Sequence, residues 1–449
     1  MSAAVVTVII ILAAVTYIGV FKRRARIKPS YPRHPEPIKH LPYPDLKFTV
    51  ISDTHYYDRS LGDSGPAFEA YMLTDRKLIK ESVELIDLAL EKILESDAEV
   101  VFVPGDLTCE GEKISHLGMA RALSRLREDG RRVFVIPGNH DINMLHGAVS
   151  YKGIDTEPVD SISPEEFAAI YRDCGYDEAL YRDKQSLSYV AELKEKLWLI
   201  AIDTCRYREN TPQIDQVGSR VTQPLLDWLS KMLLRAAEQE AAVIAMVHHG
   251  VVEHWSGQGK LHPDYLVQDY KNFNRFLALS GVQLVFTGHY HTQDIALADY
   301  GKEGFIYDIE TGSLVTPPCP MRFCLLAGNQ LQVKSVNIIG DYRPGSSFTE
   351  EAKAFMLETL ELEIINTLRT YLVSDRDAAL LAKYIARAFA AHSLGDENMA
   401  LKPAFDAKKL NLWGRIVYAR HKKMVDSLWT NLPPDDLNVT LELAARQSN

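Results

Sequence analysis

The 449-residue chain has no excess of positive charge: 50 Lys and Arg face 60 Asp and Glu, a net charge of −10. A surface that tracks a nucleic-acid backbone needs clustered cations, so broad nucleic-acid binding is not expected. Cysteine is scarce. Cys109, Cys174, Cys205, Cys319 and Cys324 are odd in number, scattered and without a CxxC pair, which argues against a disulfide framework and a thiolate zinc site. Also missing are a G-x-S-x-G nucleophile turn and a GxxxxGK[ST] phosphate loop, so neither serine-ester chemistry nor P-loop nucleotide binding is indicated. No internal repeat is present, and the one biased stretch is rich in proline.

What is present begins with AAVVTVIIILAAVTYIGVF, residues 3–21, a run without charge. At about 1.5 Å per residue, a helix of this length just crosses a hydrocarbon core of about 30 Å. The basic cluster KRRAR (22–26) follows the run instead of preceding it, which reads as a retained anchor and not a cleaved signal. Basic residues flanking a first span stay in the cytoplasm, so the expectation is a single-pass membrane protein with its body on that side. Residues 29–45 hold six prolines, which fix φ and remove amide donors, and read as an extended spacer.

From Lys47 apolar runs of strand length (KFTVISD, EVVFVPGD, RVFVIPGNHD, LWLIAID, VIAMVHHG, QLVFTGHYH) alternate with helical stretches near 75–95, 112–127, 222–237 and 268–279. This alternation implies βαβ units and a mostly parallel sheet. After Phe305 hairpin-like runs complete a second sheet. Beyond a loop-rich stretch, Ser347 and Glu350 have capping-box spacing. Apolar stripes at Met356, Leu360, Ile364 and Leu368, then Leu381, Tyr384, Ile385 and Ala388, predict helices. The expected organisation is an anchor at 1–21, a basic and proline-rich linker at 22–45, an α/β catalytic domain at 46–340 and a helical domain at 341–449.

Several strands end in Asp, Asn or His: DTH (53–55), GD (105–106), GNHD (138–141), HHG (248–250) and GHYH (288–291). Groups beyond the carboxyl ends of parallel strands converge. Oxygen and imidazole donors suit divalent Mn, Fe or Zn. Ten of the 14 histidines fall between 55 and 291.

The order DTH, GD, GNHD, H, GHYH resembles the calcineurin-like metallophosphoesterases over about 46–340. DTHYYDRSLGDSGPAFEAY, GDLTCEGEK and PGNHDIN resemble more closely a bacterial, membrane-associated or exported subgroup with a helical C-terminal domain, assigned as cyclic-nucleotide phosphodiesterases. The resemblance implies an αββα sandwich of two mixed sheets flanked by helices, and a pair of divalent ions. Asp53, His55 and His291 would hold one ion, Asn139, His248 and His289 the other, and Asp106 would bridge them. HHG stands where many relatives have HHP, which leaves His248 and His249 to be told apart. His140 would be the acid at the leaving-group oxygen, with Asp141 either orienting it or serving a structural role. The implied reaction is hydrolysis of a small phosphodiester or nucleotide, 3′,5′-cyclic nucleotides included, by a hydroxide bridging the two ions. Lipid or nucleotide pyrophosphate hydrolysis at the membrane, and a metal-stabilised binding protein without turnover, are the alternatives. Asn143, His146, Arg206 and His254 are the candidate substrate contacts, and Trp255 is a candidate base-stacking ring. No protein partner of the C-terminal domain is indicated.

Overall fold

The computed structural model describes residues 29–32, 38, 40–74, 76–395 and 397–443. The expected anchor at 3–21 and the basic cluster after it lie outside the described residues. Among the described residues no helix is long and apolar enough to cross a membrane.

β1 (Leu46–Val50), β2 (Val100–Val103) and β3 (Arg132–Val135) run parallel and open the first sheet. A small hairpin follows, β4 (Val149–Lys152) and β5 (Asp155–Pro158). The second sheet is then built from β6 (Tyr181–Arg182), β7 (Tyr189–Lys194), β8 (Leu197–Ile202), β9 (Ala242–Val247), β10 (Leu284–Thr287), β11 (Asp294–Asp299) and β12 (Phe305–Glu310). The chain returns to the first sheet as β13 (Pro320–Ala327) and β14 (Gln330–Asn337), and again at its end as β15 (Asn438–Glu442). Both sheets are mixed. β8, β9, β10 and β12 are parallel neighbours, while β7, β11, β13, β14 and β15 pair antiparallel.

Side chains alternate between two buried layers, as a strand's period of two requires. On β9, Ile244 and Met246 join the core between the sheets, whereas Val243, Ala245 and Val247 face the helices outside. Phe48 of β1 meets Phe286 of β10 edge to face at 5.2 Å, which closes the first sheet onto the second. α1 (Ser82–Leu94) and α2 (Lys113–Glu128) cover the first sheet; α3 (Gln223–Glu238) and α4 (Tyr270–Leu279) cover the second. The Thr222 hydroxyl caps α3 by accepting from the Leu225 amide.

Four expectations change. The helix expected from Asp75 begins only at Ser82, after a 3₁₀ turn at Ile79–Glu81. The Leu78 amide is bonded to the Val315 carbonyl at 2.7 Å, which holds residues 76–78 out of helical register. The proline-rich stretch is not a free spacer where it is described. The Ile38 amide bonds the Leu279 carbonyl at 2.8 Å, and the buried Tyr43 donates its hydroxyl to the Val243 carbonyl at 3.2 Å. The C-terminal region is helical over α5 (Phe348–Thr370), α6 (Asp375–Leu394) and α7 (Leu412–Ser427), but β15 carries it back into the catalytic sheet. No capping box forms at α5, where the Ser347 hydroxyl bonds Glu351 instead.

Candidate dimetal site

Each of the strand-end groups leaves a parallel strand within a few residues of its carboxyl end, so the sheet edges bring them together. The turns that do this are strained. Asp53, His55, Asp106, His289 and His291 all have positive φ, between 40° and 75°, a region costly for side-chain-bearing residues and concentrated at functional sites. Glycine permits the close approaches. A Cβ on Gly138 would collide with Asp106, and one on Gly288 with Ser52 and Asp53.

Two sets of donors result. Asp53, His55, Asp106 and His291 bring ligand atoms within 4.8 Å of one another, and so do Asp106, His248 and His289. Asp106 belongs to both. The amide oxygen of Asn139 lies 3.0 Å from His248 Nε2 and joins the second set. Hydrogen bonds to carbonyls, which only accept, fix the imidazole tautomers. His248 Nδ1 donates to Pro104 O at 2.8 Å and His55 Nδ1 to Thr108 O at 3.2 Å, leaving Nε2 lone pairs directed inward. His289 Nε2 donates to Asp264 O at 3.2 Å, so Nδ1 would be its ligand atom.

The electrostatics fit cations. Burial, helped by neighbouring positive groups, keeps His55 and His289 far below the usual imidazole range, and burial lowers His291, so all three stand in the neutral ligand form. His248 is the exception. Burial lowers it, but the Asp106 carboxylate outweighs that and raises it to about 9; a cation held by Asp106 would take the place of that proton. His248 is also separated from His249. His249 spends Nδ1 on the Thr204 hydroxyl at 2.8 Å and Nε2 on the Val217 carbonyl at 3.0 Å, so it has no donor atom to offer.

His140 stands beside the donor sets, its ring centroid 5.4 Å from that of His55 and its side chain 24% exposed. Its amide donates to Asp106 at 2.9 Å, and its Nδ1 pairs with Glu110 Oε2 at 3.0 Å. Burial and Lys77 lower its basicity, but Glu110 and Asp106 outweigh them and raise it to about 8. Asp141 does not orient this ring. Its oxygens accept from the amides of Leu107, Thr108 and Gly138 and from the Thr108 hydroxyl, at 2.8–3.1 Å, so it ties the 105–108 turn to the 138–141 turn. Glu110 holds the position expected of Asp141.

The cleft over the donor sets, ≈200 Å³, is lined by Arg76, Lys77, Asp106, His140, Tyr265, His289 and His291, and by Thr359, Leu360 and Glu363 of α5. The residues expected to touch substrate are not brought there. Arg206 pairs with Glu209 at 2.7 Å and lines a different hollow. Asn143 donates to the Tyr207 carbonyl at 3.3 Å. His146 is exposed, with Nδ1 on Pro212 O at 3.3 Å. Trp255 is buried, with its indole N–H donated to the Tyr290 hydroxyl at 3.0 Å. Arg76, Lys77 and Glu363 had no sequence signal of their own, since a basic pair ahead of a helix is usually solvated.

His254 is fully buried in a second polar cluster. Its Nδ1 pairs with Asp294 at 2.5 Å, and its Nε2 lies 3.3 Å from Glu310 and 3.4 Å from Asp308. Those carboxylates raise it well above the usual imidazole range against the effect of burial. His392, at the end of α6, pairs with Glu397, and its Nδ1 lies 3.7 Å from Asp294. Arg322 of β13 donates to the carbonyls of Asp436, Glu310 and Asp294 at 2.6–3.3 Å. The cluster therefore joins the helical region to both sheets. Burial, then Asp294 and Glu397, raise the Asp436 carboxyl to about 9, with Arg322 opposing. The folded chain thus keeps a proton that the unfolded chain releases near pH 4. That contribution is complete below about pH 4 and is lost as pH climbs toward about 9. Asp436→Asn keeps the acceptor for the Ile295 amide (2.8 Å) without the charge. Its melting temperature relative to the parent should rise by a few degrees between about pH 5 and about pH 9. Parallel melting curves across that range would show that Asp436 does not hold the proton.

Known proteins place this arrangement. No curated protein matches the chain. Among solved structures, a dimetal phosphatase from Danio rerio is similar at 15% identity and a TM-score of 0.46, covering 67% of this chain and 96% of that one. The purple acid phosphatase PPD1 of yellow lupin is similar at 13% identity and a TM-score of 0.38, covering 66% and 53%. These likenesses are too distant to carry an argument about activity. The family model for calcineurin-like phosphoesterase matches residues 46–293, more than half of the chain. That span takes in β1 to β10 and each of the strand-end groups that supply the two donor sets, whereas β11 onward and the helical region lie beyond it. With β1 to β10, the strained strand ends and the shared Asp106 inside the matched span, the chain belongs to the calcineurin-like phosphoesterase family.

Proposed function

We propose that the protein is a metal-dependent phosphodiesterase. The supporting observation is the charge of the cleft. Apart from the metal-ligand positions and His140, its ionised groups are Arg76 and Lys77 against Glu363, which leaves one positive charge. A phosphodiester carries one negative charge; a monoester near neutral pH carries close to two. Arg76 Nη1 stands 3.9 Å from Glu363 Oε2, so part of its charge is already answered from across the cleft.

Two divalent ions held by the donor sets would supply Lewis-acid stabilisation of phosphoryl charge and activation of water. The chain's own residues do the rest. Asp106, the acid common to both donor sets, would offset the charge of both ions. Arg76 and Lys77 draw the phosphate into the cleft and orient it. In the reaction, water adds its oxygen to phosphorus and gives up a proton to solvent, the P–O bond to the leaving alkoxide breaks, and the imidazolium of His140 passes its proton to that alkoxide, which departs as the alcohol; His140 then takes a proton back from solvent. Glu110 holds His140 by Nδ1, which turns Nε2 toward the leaving group.

The test is turnover by the full-length protein with added Mn²⁺. Bis(4-nitrophenyl) phosphate should be cleaved with at least a tenfold higher kcat/KM than 4-nitrophenyl phosphate, and chelation should abolish both. A preference for the monoester would overturn the diesterase reading, and loss-free activity after chelation would overturn the metal requirement.

A further inference from the structure

A second cavity, ≈280 Å³, lies between the helical region and the α/β domain, which contributes Leu261, His262, Tyr265 and Tyr290 to its wall. Its walls are apolar, with Ile364 and Leu368 of α5, Leu381, Ile385 and Phe389 of α6 and Val417 of α7 among them. Cores are normally packed without such voids, and open apolar space beside a few polar groups is the form of a ligand site. Its position is what gives it meaning. Arg76, Tyr265, Leu360 and Glu363 line both this cavity and the cleft over the donor sets, so the two spaces meet at these side chains. Tyr265 stands at the junction, 4.8 Å from the ring of the ligand residue His289 and 4.8 Å from Tyr290. Tyr290, the residue between the two histidines of GHYH, itself lines the apolar cavity. Arg76 and Glu363 stand at the end that faces the cleft, and the interior beyond is mainly aliphatic and aromatic, with His262, Thr367, Ser393 and His421 among its few polar side chains.

We propose that this cavity holds the apolar tail of the substrate, so that the phosphodiester carries one long alkyl or acyl chain. The inference rests on the phosphodiesterase reading and adds the substrate class to it. A phosphate at the donor sets places an ester substituent at the four shared residues, and a chain continuing from it enters the helical region. The helical region is then a substrate-binding element, which accounts for α5 reaching into the cleft with Thr359, Leu360 and Glu363.

The experiment compares methyl and octyl 4-nitrophenyl phosphate, each below its aggregation concentration, on the full-length protein. Burying a methylene favours binding by on the order of threefold, so octyl should exceed methyl in kcat/KM by at least about a hundredfold. In Ile385→Trp, which fills the cavity, the octyl-to-methyl ratio should fall toward about one; Val417→Phe is the second variant should the first not fold. Calorimetric titration with octyl and methyl phosphate reads the tail without turnover and should show the same chain-length dependence and the same loss. Turnover of both esters with no chain-length dependence would overturn the tail site and leave the diesterase reading standing. No turnover, with chain-dependent octyl phosphate binding lost in Ile385→Trp, would overturn the diesterase reading and support the cavity as a tail site. Failure of both arms would overturn both.

Discussion

Asp106→Asn should lose both metals and at least about a thousandfold in kcat/KM. One carboxylate belongs to both donor sets, and the other acid, Asp53, belongs to the first set alone. The substitution preserves shape but removes the charge that faces two cations. It also changes the partner of His248, whose elevated basicity comes from this carboxylate. Metal content by plasma mass spectrometry and turnover should therefore fall together. The scaffold should survive, because Asp141 still accepts the Leu107 and Thr108 amides across the two turns, and the amide oxygen of the substituted side chain can still accept from the His140 amide. A variant that keeps two ions and normal turnover would remove Asp106 from the shared position.

His140→Ala should separate metal binding from chemistry. The ring lies outside both donor sets, so two ions should remain bound. A positioned acid is worth about 10²–10⁴ in rate. The loss should be of that order for an alkyl leaving group and small for 4-nitrophenolate, which departs without a proton. Glu110→Gln should reproduce part of the loss for the alkyl ester, because it frees the ring held at 3.0 Å. Equal losses for good and poor leaving groups would deny His140 the acid role.

The donor sets were legible because their signals are local. An apolar run followed by Asp, Asn or His states both the strand and the group it delivers, and the resemblance supplied the pairing across 236 residues between His55 and His291. The sandwich was legible for the same reason, since strand and helix periods alternate cleanly. What the sequence did not disclose depends on contacts between distant segments. Nothing in EGEK marks Glu110 as the partner of His140, and adjacency favoured Asp141, which proximity to backbone amides had already claimed. His254 follows HHG by four residues, but its loop turns inward to Asp294, Asp308 and Glu310. The stripe containing Leu360 is core by periodicity, yet the same helix delivers Glu363 to the cleft. β15 has no signal of its own, because NVTLE, a strand of only five residues following three long helices, acquires its partner only when β14 offers an open edge.

Anomalous diffraction from crystals grown with Mn²⁺ tests the two-metal assignment most directly. Two peaks should appear about 3.5–4 Å apart. One should be bounded by Asp53, His55 and His291, the other by Asn139, His248 and His289, with Asp106 between them. A single peak, or a pair that leaves Asp106 on one ion alone, would contradict the account.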